Sequence, residues 1–232
     1  MTPQHLARAL RSGILVSDHA FDVHLPAPYQ ALSGLYWTPV EIAAKAAWWL
    51  TELGARTVLD VGAGVGKFCV IAALARDLEI TGIEQRGELV RHAEELARRF
   101  AVVGHARFIA GELDAIDPDA FDAIYAFNPF GENLFTPAKR IDSTVDLTPE
   151  RFHRDVRLFE KTLERLSVRR MLVTYHGFGG RIPDSFECVR EARLGSDVLR
   201  IWRKIRSSAR GREWIEVDGT PALVDAARDR AD

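Results

Sequence analysis

Cysteine is scarce in this sequence: only Cys69 and Cys188 occur in 232 residues. Two cysteines so far apart cannot form the dense disulfide framework of small secreted domains, so we expect both to be buried thiols in a reducing compartment. Long apolar runs are also absent. No stretch approaches the ~18 uncharged apolar residues of a membrane-spanning helix, and the N-terminus lacks the apolar core of a signal peptide. These absences predict a soluble, cytoplasmic protein without a membrane partner.

The sequence also lacks repeats, low-complexity tracts and a large net charge. The formal charge is −2, and 47% hydrophobic with 28% charged residues is ordinary for a globular protein. A chain of 232 residues corresponds to one large domain with short appendages, and such a domain buries about 70% of its unfolded surface. Residues 140–212 hold 17 lysines and arginines against 10 acidic residues. An anionic partner is one interpretation of this local excess of positive charge, and a basic, solvent-exposed face is the preferred one.

Apolar runs alternate with amphipathic segments along most of the chain. Segments 186–191 and 197–204 flank Leu194-Gly195-Ser196, which indicates a closing antiparallel hairpin. The whole order predicts an α/β fold, a Rossmann-like, doubly wound, mostly parallel seven-stranded sheet with helices on both faces. Ligands of such sheets bind beyond the carboxyl ends of the strands. The remaining predicted strands are 57–61, 79–84, 106–110, 121–127 and 170–176, and the predicted helices are 39–53, 67–77, 89–100 and a segment that starts at Thr148-Pro149.

A glycine-rich loop, Gly62-Ala63-Gly64-Val65-Gly66, joins the first strand to its helix. Glycines there let the backbone turn tightly and approach a ligand. A phosphate-binding P-loop needs Ser or Thr after its Gly-Lys pair, but Phe68 follows Lys67. A dinucleotide fingerprint needs its third glycine where Lys67 stands. The remaining pattern places Asp60 two residues before the first glycine, where it can accept from an ammonium, and this suits a cofactor with an amino-acid moiety and no pyrophosphate.

Acidic residues follow the next two strands. Glu84 closes the second strand 18 residues after Gly66, where a carboxylate can accept hydrogen bonds from both hydroxyls of a ribose. After the third strand, Glu112 or the backbone of Leu113 is placed to meet an adenine edge, with Asp114 nearby. The structural alternatives are a glycine-rich turn without a ligand and a surface glutamate at a strand end.

Together these segments resemble the class I S-adenosylmethionine (SAM) methyltransferases. LDVGAGVGK is similar to the first motif of that family, GIEQ to the acidic second motif and FIAGEL to the third, and the resemblance covers residues 36–204. It implies that the cofactor is S-adenosyl-L-methionine. The residues implied to bind it are Asp60, Gly62, Ala63, Gly64 and Gly66 around the methionine part, Glu84 with Gln85 at the ribose, and Glu112 with Leu113 at the adenine.

The fourth strand ends in Asn128-Pro129-Phe130-Gly131. This segment resembles the Asn/Asp-Pro-Pro-Tyr/Phe signature of methyltransferases that act on amino or amide nitrogens, and it implies that Asn128, Pro129 and Phe130 are catalytic, with Asn128 also beside SAM. An Asn oxygen and a nearby carbonyl can accept the N–H groups of a poorly nucleophilic nitrogen and hold it in line with the methyl group. An aromatic ring can stack on a planar target or stabilise a cationic transition state.

This segment departs from the signature at two positions. Phe130 replaces the second proline, and Gly131 stands in the usual aromatic place. The Asn-x-Phe spacing is also similar to that of the non-SET histone-lysine methyltransferases, so a lysine-like amine stays open as the acceptor. An ordinary turn after a buried strand is the structural alternative.

Two further positions flank the predicted site. Tyr36-Trp37-Thr38-Pro39 resembles the aromatic-x-Thr-Pro segment that opens the SAM site of many amino-methyltransferases. Thr38 would cap the next helix, with Pro39 at the first helical position, and would hydrogen-bond the SAM carboxylate; a plain cap with a core Trp37 is the alternative. His176 follows the fifth strand and can take a proton from an ammonium substrate, or act as a structural hydrogen-bonding group. The seven histidines show no metal-ligand spacing, so no metal site is predicted.

We therefore expect three parts: a loop-rich lead-in with a short helix over 1–38 that covers the cofactor site, a catalytic domain over 39–206, and an appended tail with a short helix over 207–232. The predicted function is SAM-dependent transfer of a methyl group to a nitrogen of a small molecule or a protein side chain. The alternatives are an O-methyltransferase that uses His176 as base and a SAM-binding module without catalysis. No nucleic-acid acceptor is expected, because the chain has no room for a separate target-recognition domain and its total charge is slightly acidic. The oligomeric state is left open.

Overall fold

The computed structural model describes residues 1–207 and, in the C-terminal segment, the two strands β8 (Arg212–Val217) and β9 (Thr220–Asp225). These two strands pair antiparallel as a separate hairpin. The short helix expected in the tail is therefore not found in those twelve positions, and the rest of the tail lies outside the described residues.

A seven-stranded sheet forms the centre of the molecule, and it confirms the predicted fold. Its order is β3-β2-β1-β4-β5-β7-β6. β2 and β3 are added on one side of β1 and β4 and β5 on the other, so the strand order reverses between β1 and β4. The first five strands in sequence run parallel, and β7 is antiparallel to both β5 and β6. The strands are β1 (Thr57–Val61), β2 (Glu79–Glu84), β3 (Ala106–Ala110), β4 (Ala123–Ala126), β5 (Met171–Thr174), β6 (Phe186–Leu194) and β7 (Asp197–Lys204).

Helices cover both faces of this sheet because adjacent residues of each central strand point to opposite faces. Val58 and Tyr125 pack on one face with the helices that follow β1 and β2, whereas Leu59 and Ile124 pack on the other face against the long helix before β5. The main helices are α5 (Val40–Glu52), α6 (Lys67–Ala75), α7 (Gly87–Arg99) and α8 (Pro149–Arg165). α8 begins as predicted, with the Thr148 hydroxyl accepting from the Arg151 N–H.

The lead-in is more helical than the sequence suggests. It contains α1 (Pro3–Arg11), α2 (Asp18–Asp22), α3 (Ala27–Gln30) and α4 (Ser33–Tyr36), and hydroxyl caps at Thr2 and Ser17 start the first two. Each of the last three is only one turn or so long, too short for a hydrophobic period to reveal it.

The predicted role of Thr38 as a helix cap is wrong. α5 begins at Val40, one residue later than predicted, and the Thr38 hydroxyl instead lies 3.0 Å from the Tyr125 hydroxyl. The free N–H of Val40 donates to the Asp18 carboxylate at 2.9 Å. The Asp18 carboxylate of α2 therefore caps α5 in place of the Thr38 hydroxyl that the sequence predicts.

A buried lysine joins this lead-in to the glycine loop. The Lys67 side chain is 2% exposed, and its ammonium lies 2.6 Å from Asp18 and 2.7 Å from Asp22. It also donates to the Ser33 hydroxyl at 3.0 Å. Because Lys67 is the first residue of α6, these contacts hold α2 and α4 directly beside the loop that ends the first strand.

Replacing Lys67 with Met should destabilise the fold strongly. Removing one partner of a buried ion pair leaves the other uncompensated and costs about 3–5 kcal/mol, and we expect the lower end because the Asp18 side chain is 48% exposed. Urea denaturation of Lys67→Met would measure the loss. The exposed Lys161→Met is the matched control and should change stability by less than about 0.5 kcal/mol. Equal effects of the two substitutions would contradict this role for Lys67.

Candidate active site

A cavity of about 320 Å³ opens at the carboxyl ends of the parallel strands. It lies at the point between β1 and β4 where the strand order reverses, which is where doubly wound sheets bind their ligands. The loops after β1, β2, β3, β4 and β5 all reach it, and α4 and α8 form two of its walls. The predicted residues that line it are Gly62, Gly64, Glu84, Gln85, Glu112, Leu113, Asn128, Pro129, Phe130 and His176.

The glycine loop is shaped by close contacts that only glycine permits. Gly64 has φ +55°, and a Cβ there would overlap the ring of Trp37. Gly66 has φ +77°, and a Cβ there would lie 2.7 Å from the Phe108 ring and 2.8 Å from Ala93. Gly64 therefore lets the loop pass under the lead-in at the cavity wall. Gly66 instead lets α6 approach β3 and α7, and it does not line the cavity.

Glu84 holds the floor of the cavity. Its two carboxylate oxygens accept from the Gly64 N–H at 3.1 Å and from the Arg86 N–H at 2.9 Å. The side chain is buried, and this burial raises the pKa of Glu84. Each carboxylate oxygen can accept more than one hydrogen bond, so Glu84 keeps acceptor capacity for a ligand while it fixes the loop.

Asp60 lies behind the loop and does not line the cavity. Its carboxylate accepts a hydrogen bond from the Cys69 thiol at 3.2 Å. Burial raises the pKa of Asp60 to about 7, and the nearby Glu84 charge adds to the shift. Thr38 and Ala63 are likewise buried and outside the cavity lining. The roles predicted for these three residues toward SAM stay predictions.

Glu112 reaches the rim of the cavity, where two arginines of α8 bind it. Arg151 lies 2.8 Å and Arg154 lies 3.2 Å from its carboxylate. Arg151 also donates to the Gln85 side chain and contacts Asp155 at 3.4 Å. Sequence reasoning missed Arg151 because nothing local relates the first turn of α8 to the loops after β2 and β3.

Arg86 is a second functional candidate that the sequence did not indicate. It is buried at the cavity wall and lies 2.9 Å from Glu132 and 3.1 Å from Asp142. These carboxylates come from the segment after β4, so the ion pairs close that segment over the site. The pairing sets one positive charge against two negative ones, so the charge of Arg86 is compensated locally.

Asn128 stands at the end of β4 in a left-handed conformation, with φ 44°. Its N–H donates to the Gly177 carbonyl at 2.9 Å, and its side-chain amide occupies the space where a Cβ of Gly131 would be. Glycine therefore replaces the aromatic residue of the usual signature because Asn128 folds back over it. The Asn128 amide is exposed to the cavity and has no hydrogen-bond partner among residues 1–207.

Aromatic rings enclose the rest of the cavity. Tyr36 and Trp37 form the lead-in wall, the Tyr36 hydroxyl donates to the Lys139 carbonyl, and Tyr36 packs edge-on against Phe135 at 5.8 Å. Phe130 packs edge-on against Phe159 of α8, also at 5.8 Å. The structure thus brings the three predicted catalytic residues after β4, His176 and the glycine loop to one enclosed, ring-lined space.

Comparison with known proteins agrees with this arrangement. A family model described as a methyltransferase domain matches residues 54–168, from just before β1 to just after α8. No curated protein sequence shows a significant match to the chain. The family match agrees with the class of enzyme that the sequence predicts, a SAM-dependent methyltransferase.

Two solved structures illustrate the shared fold. An RNA methyltransferase from Salinibacter ruber, in complex with S-adenosyl-L-homocysteine, is 18% identical with a TM-score of 0.52, and the match covers 73% of this chain and 94% of that one. A methyltransferase from Geobacter sulfurreducens is 14% identical with a TM-score of 0.52, covering 83% of this chain and 94% of that one. At such identities the likeness establishes the fold.

Replacing Asp60 with Asn should stabilise the protein in a pH-dependent way. With a folded pKa of about 7 against an unfolded value of about 3.9, the unfolded chain gives up this proton first, so the carboxyl lowers stability as the pH rises between those values. We expect Asp60→Asn to raise the free energy of unfolding by about 2–4 kcal/mol near pH 8 and to have no effect near pH 3. Urea denaturation at both pH values tests this. Asp77→Asn, at an exposed turn, is the control, and an equal gain at both pH values would contradict the buried charge.

Proposed function

We propose that this chain transfers a methyl group from S-adenosyl-L-methionine to a nitrogen of a small molecule or a protein side chain. The observation that carries the proposal is the convergence of Asn128 with the glycine loop and Glu84 at one cavity. When bound, SAM supplies an electrophilic methyl group on a sulfonium. The residues of the chain would bind and orient the two substrates, exclude water and, where the acceptor carries a proton, remove it.

The cavity fits the parts of this cofactor. Gly64 allows the backbone to approach closely without a side chain, and Glu84 keeps acceptor capacity suited to ribose hydroxyls. Gln85, Glu112 and Leu113 line the same cavity, where Gln85 would lie at the ribose and Glu112 with Leu113 at the adenine. The neighbour from Salinibacter ruber, which was crystallised with S-adenosyl-L-homocysteine, supports the same assignment.

Catalysis by this site would consist of positioning. The free amide oxygen of Asn128 accepts an N–H of the acceptor and fixes the lone pair of its nitrogen toward the methyl group. Pro129 lies against Gly62 of the glycine loop, where a Cβ would meet it at 3.2 Å, so the acceptor side and the cofactor side are in direct contact. Phe130 and Tyr36 exclude water, which keeps a neutral amine reactive.

The charges at the cavity favour a small molecule or protein side chain over a nucleic acid. The two arginines that line it, Arg86 and Arg151, are each bound by carboxylates. Arginines compensated in this way are poor partners for a phosphate backbone, which binds through uncompensated positive charge. The RNA methyltransferase with the same fold is thus a relative in architecture, and RNA is an outcome that the acceptor screen below would detect.

Methyl transfer to an oxygen is the second candidate function. The observation that favours it is the 2.8 Å contact between His176 Nδ1 and the Asp197 carboxylate, because a carboxylate-bound histidine is a common general base. A hydroxyl acceptor needs such a base, whereas an amine needs one only when it arrives protonated.

Binding of the cofactor is the first prediction of the proposal. Calorimetric titration should give micromolar dissociation constants for SAM and S-adenosyl-L-homocysteine and no heat with NADH. Glu84→Gln should weaken both sulfur nucleosides by about 10–100-fold, the cost of losing charged hydrogen bonds. Glu79→Gln, at the exposed opposite end of the same strand, is the matched control and should bind like the wild type. Binding of NADH alone would overturn the cofactor assignment.

Turnover should depend on Asn128 without a matching change in cofactor affinity. We expect Asn128→Ala to keep the dissociation constant of S-adenosyl-L-homocysteine within about twofold and to lower kcat by about 100-fold, the scale of a lost positioning contact. The assay is release of S-adenosyl-L-homocysteine with panels of amines, peptides, hydroxyl compounds and RNA. Mass spectrometry of the product then distinguishes N-methyl from O-methyl. Asn128→Asp keeps an oxygen and serves as the conservative comparison. Unchanged turnover in Asn128→Ala would remove this residue from the mechanism.

A further inference from the structure

His176 sits at the cavity in a conformation that the chain must maintain. It lies two residues beyond the end of β5 and has φ 62°, a left-handed backbone that is uncommon outside glycine. Its ring packs edge-on against Phe127 at 5.4 Å and lies 4.4 Å from the Tyr175 ring. A non-glycine residue in this conformation at a cavity wall indicates a constraint on where its side chain must be.

A carboxylate from the closing hairpin holds this ring. Asp197, the first residue of β7, places one carboxylate oxygen 2.8 Å from His176 Nδ1, and its other oxygen accepts from the Val198 N–H at 2.6 Å. The Tyr175 hydroxyl donates to the Leu194 carbonyl at 2.7 Å and fixes the hairpin to the end of β5. The contact to the backbone N–H of Val198 lowers the pKa of Asp197, and His176 lowers it further. The carboxylate is therefore ionised and oriented.

We infer that Asp197 is a positioning residue that sets the tautomer of His176 for proton removal from the methyl acceptor. This inference rests on the proposed function. A carboxylate at Nδ1 requires the proton of the neutral ring to lie on Nδ1, which leaves Nε2 as the acceptor nitrogen. The Ser196 hydroxyl lies 3.4 Å from Nε2, a distance at the outer limit of a hydrogen bond, so Nε2 is weakly engaged and can exchange this contact for a substrate.

The proposed step is balanced in atoms and charge. The acceptor gives its proton to Nε2, and the electron pair left on the acceptor forms the new bond to the methyl carbon. The carbon–sulfur bond breaks, its electron pair stays on sulfur and the sulfonium becomes a neutral thioether. The imidazolium that results is stabilised by Asp197 and then loses its proton to solvent. Asn128 and His176 thus have separate tasks, one holding the acceptor and the other removing its proton.

Asp197→Asn discriminates this role from a structural one. Because the Val198 N–H needs an acceptor, the amide oxygen should stay on it and the NH₂ group should face Nδ1, which reverses the tautomer and puts the proton on Nε2. ¹⁵N NMR of His176, above the pH at which the ring titrates, reads this directly and requires no methyl acceptor. We expect Nδ1–H in the wild type and in Ser196→Ala, the matched control on the same turn, and Nε2–H in Asp197→Asn.

Turnover and binding complete the test. With an acceptor found in the screen, Asp197→Asn should lower kcat by about 100-fold, the scale of general-base catalysis, with an unchanged dissociation constant for S-adenosyl-L-homocysteine. Asp197→Glu, which keeps the carboxylate, should restore the wild-type tautomer and part of the rate. An Nε2–H ring in the wild type overturns the inference even if Asp197→Asn does not fold. An unchanged tautomer or rate in Asp197→Asn also overturns it. Failure of the wild type to bind S-adenosyl-L-homocysteine would instead count against the proposed function, and the NMR result would stand apart from it.

Discussion

The ion pairs of Lys67 are the constraint on which the site depends. An ammonium buried at the start of α6 must be compensated, and Asp18 and Asp22 of α2 are the groups that do so. Asp18 also caps α5 through the Val40 N–H. One carboxylate therefore links the lead-in, the helix before β1 and the helix after the glycine loop. Lys67 also donates to Ser33 of α4, so the same ammonium helps to hold that helix, with Tyr36 at its end, as a wall of the cavity.

Ion pairs also compensate the two arginines that line the cavity. Arg86 is bound by Glu132 and Asp142 from the segment after β4, and Arg151 by Glu112 and by Asp155 of its own helix. The pairs of Arg86 with Glu132 and Asp142 and of Arg151 with Glu112 join elements that are distant in sequence. Ion pairs therefore connect the rim of the cavity, and aromatic rings line its interior. Ion pairs of this kind hold geometry more than they add stability. A methyl transfer that proceeds by positioning needs such fixed walls.

The fold was largely predictable from sequence, and the site only in part. β1, β2 and β3 have the predicted boundaries. β1 and β2 are buried strands, which short apolar runs indicate, whereas β3 lies at the sheet edge and is largely exposed. Glu84 and Asn128 reach the cavity because parallel strands end at one edge of the sheet. Thr38 failed as a cap because Asp18 supplied the cap from 22 residues away. Arg86, Arg151 and Asp197 were missed for the same reason: a side chain's partner across the fold leaves no local pattern.

Asn128 and His176 belong to one strained unit. They end the neighbouring strands β4 and β5, both have left-handed backbones, and the Asn128 N–H donates to the carbonyl of Gly177 beside the histidine. Two such conformations at non-glycine residues cost stability, and they persist only where surrounding contacts determine them. For Asn128 the determining contact is the packing of its amide against Gly131, in the space that a Cβ would fill. For His176 it is the contact of the imidazole with the Asp197 carboxylate. Under the proposed function, Asn128 would supply the hydrogen-bond acceptor and His176 the base for a protonated nitrogen, which must be both deprotonated and aligned before it can attack a methyl group.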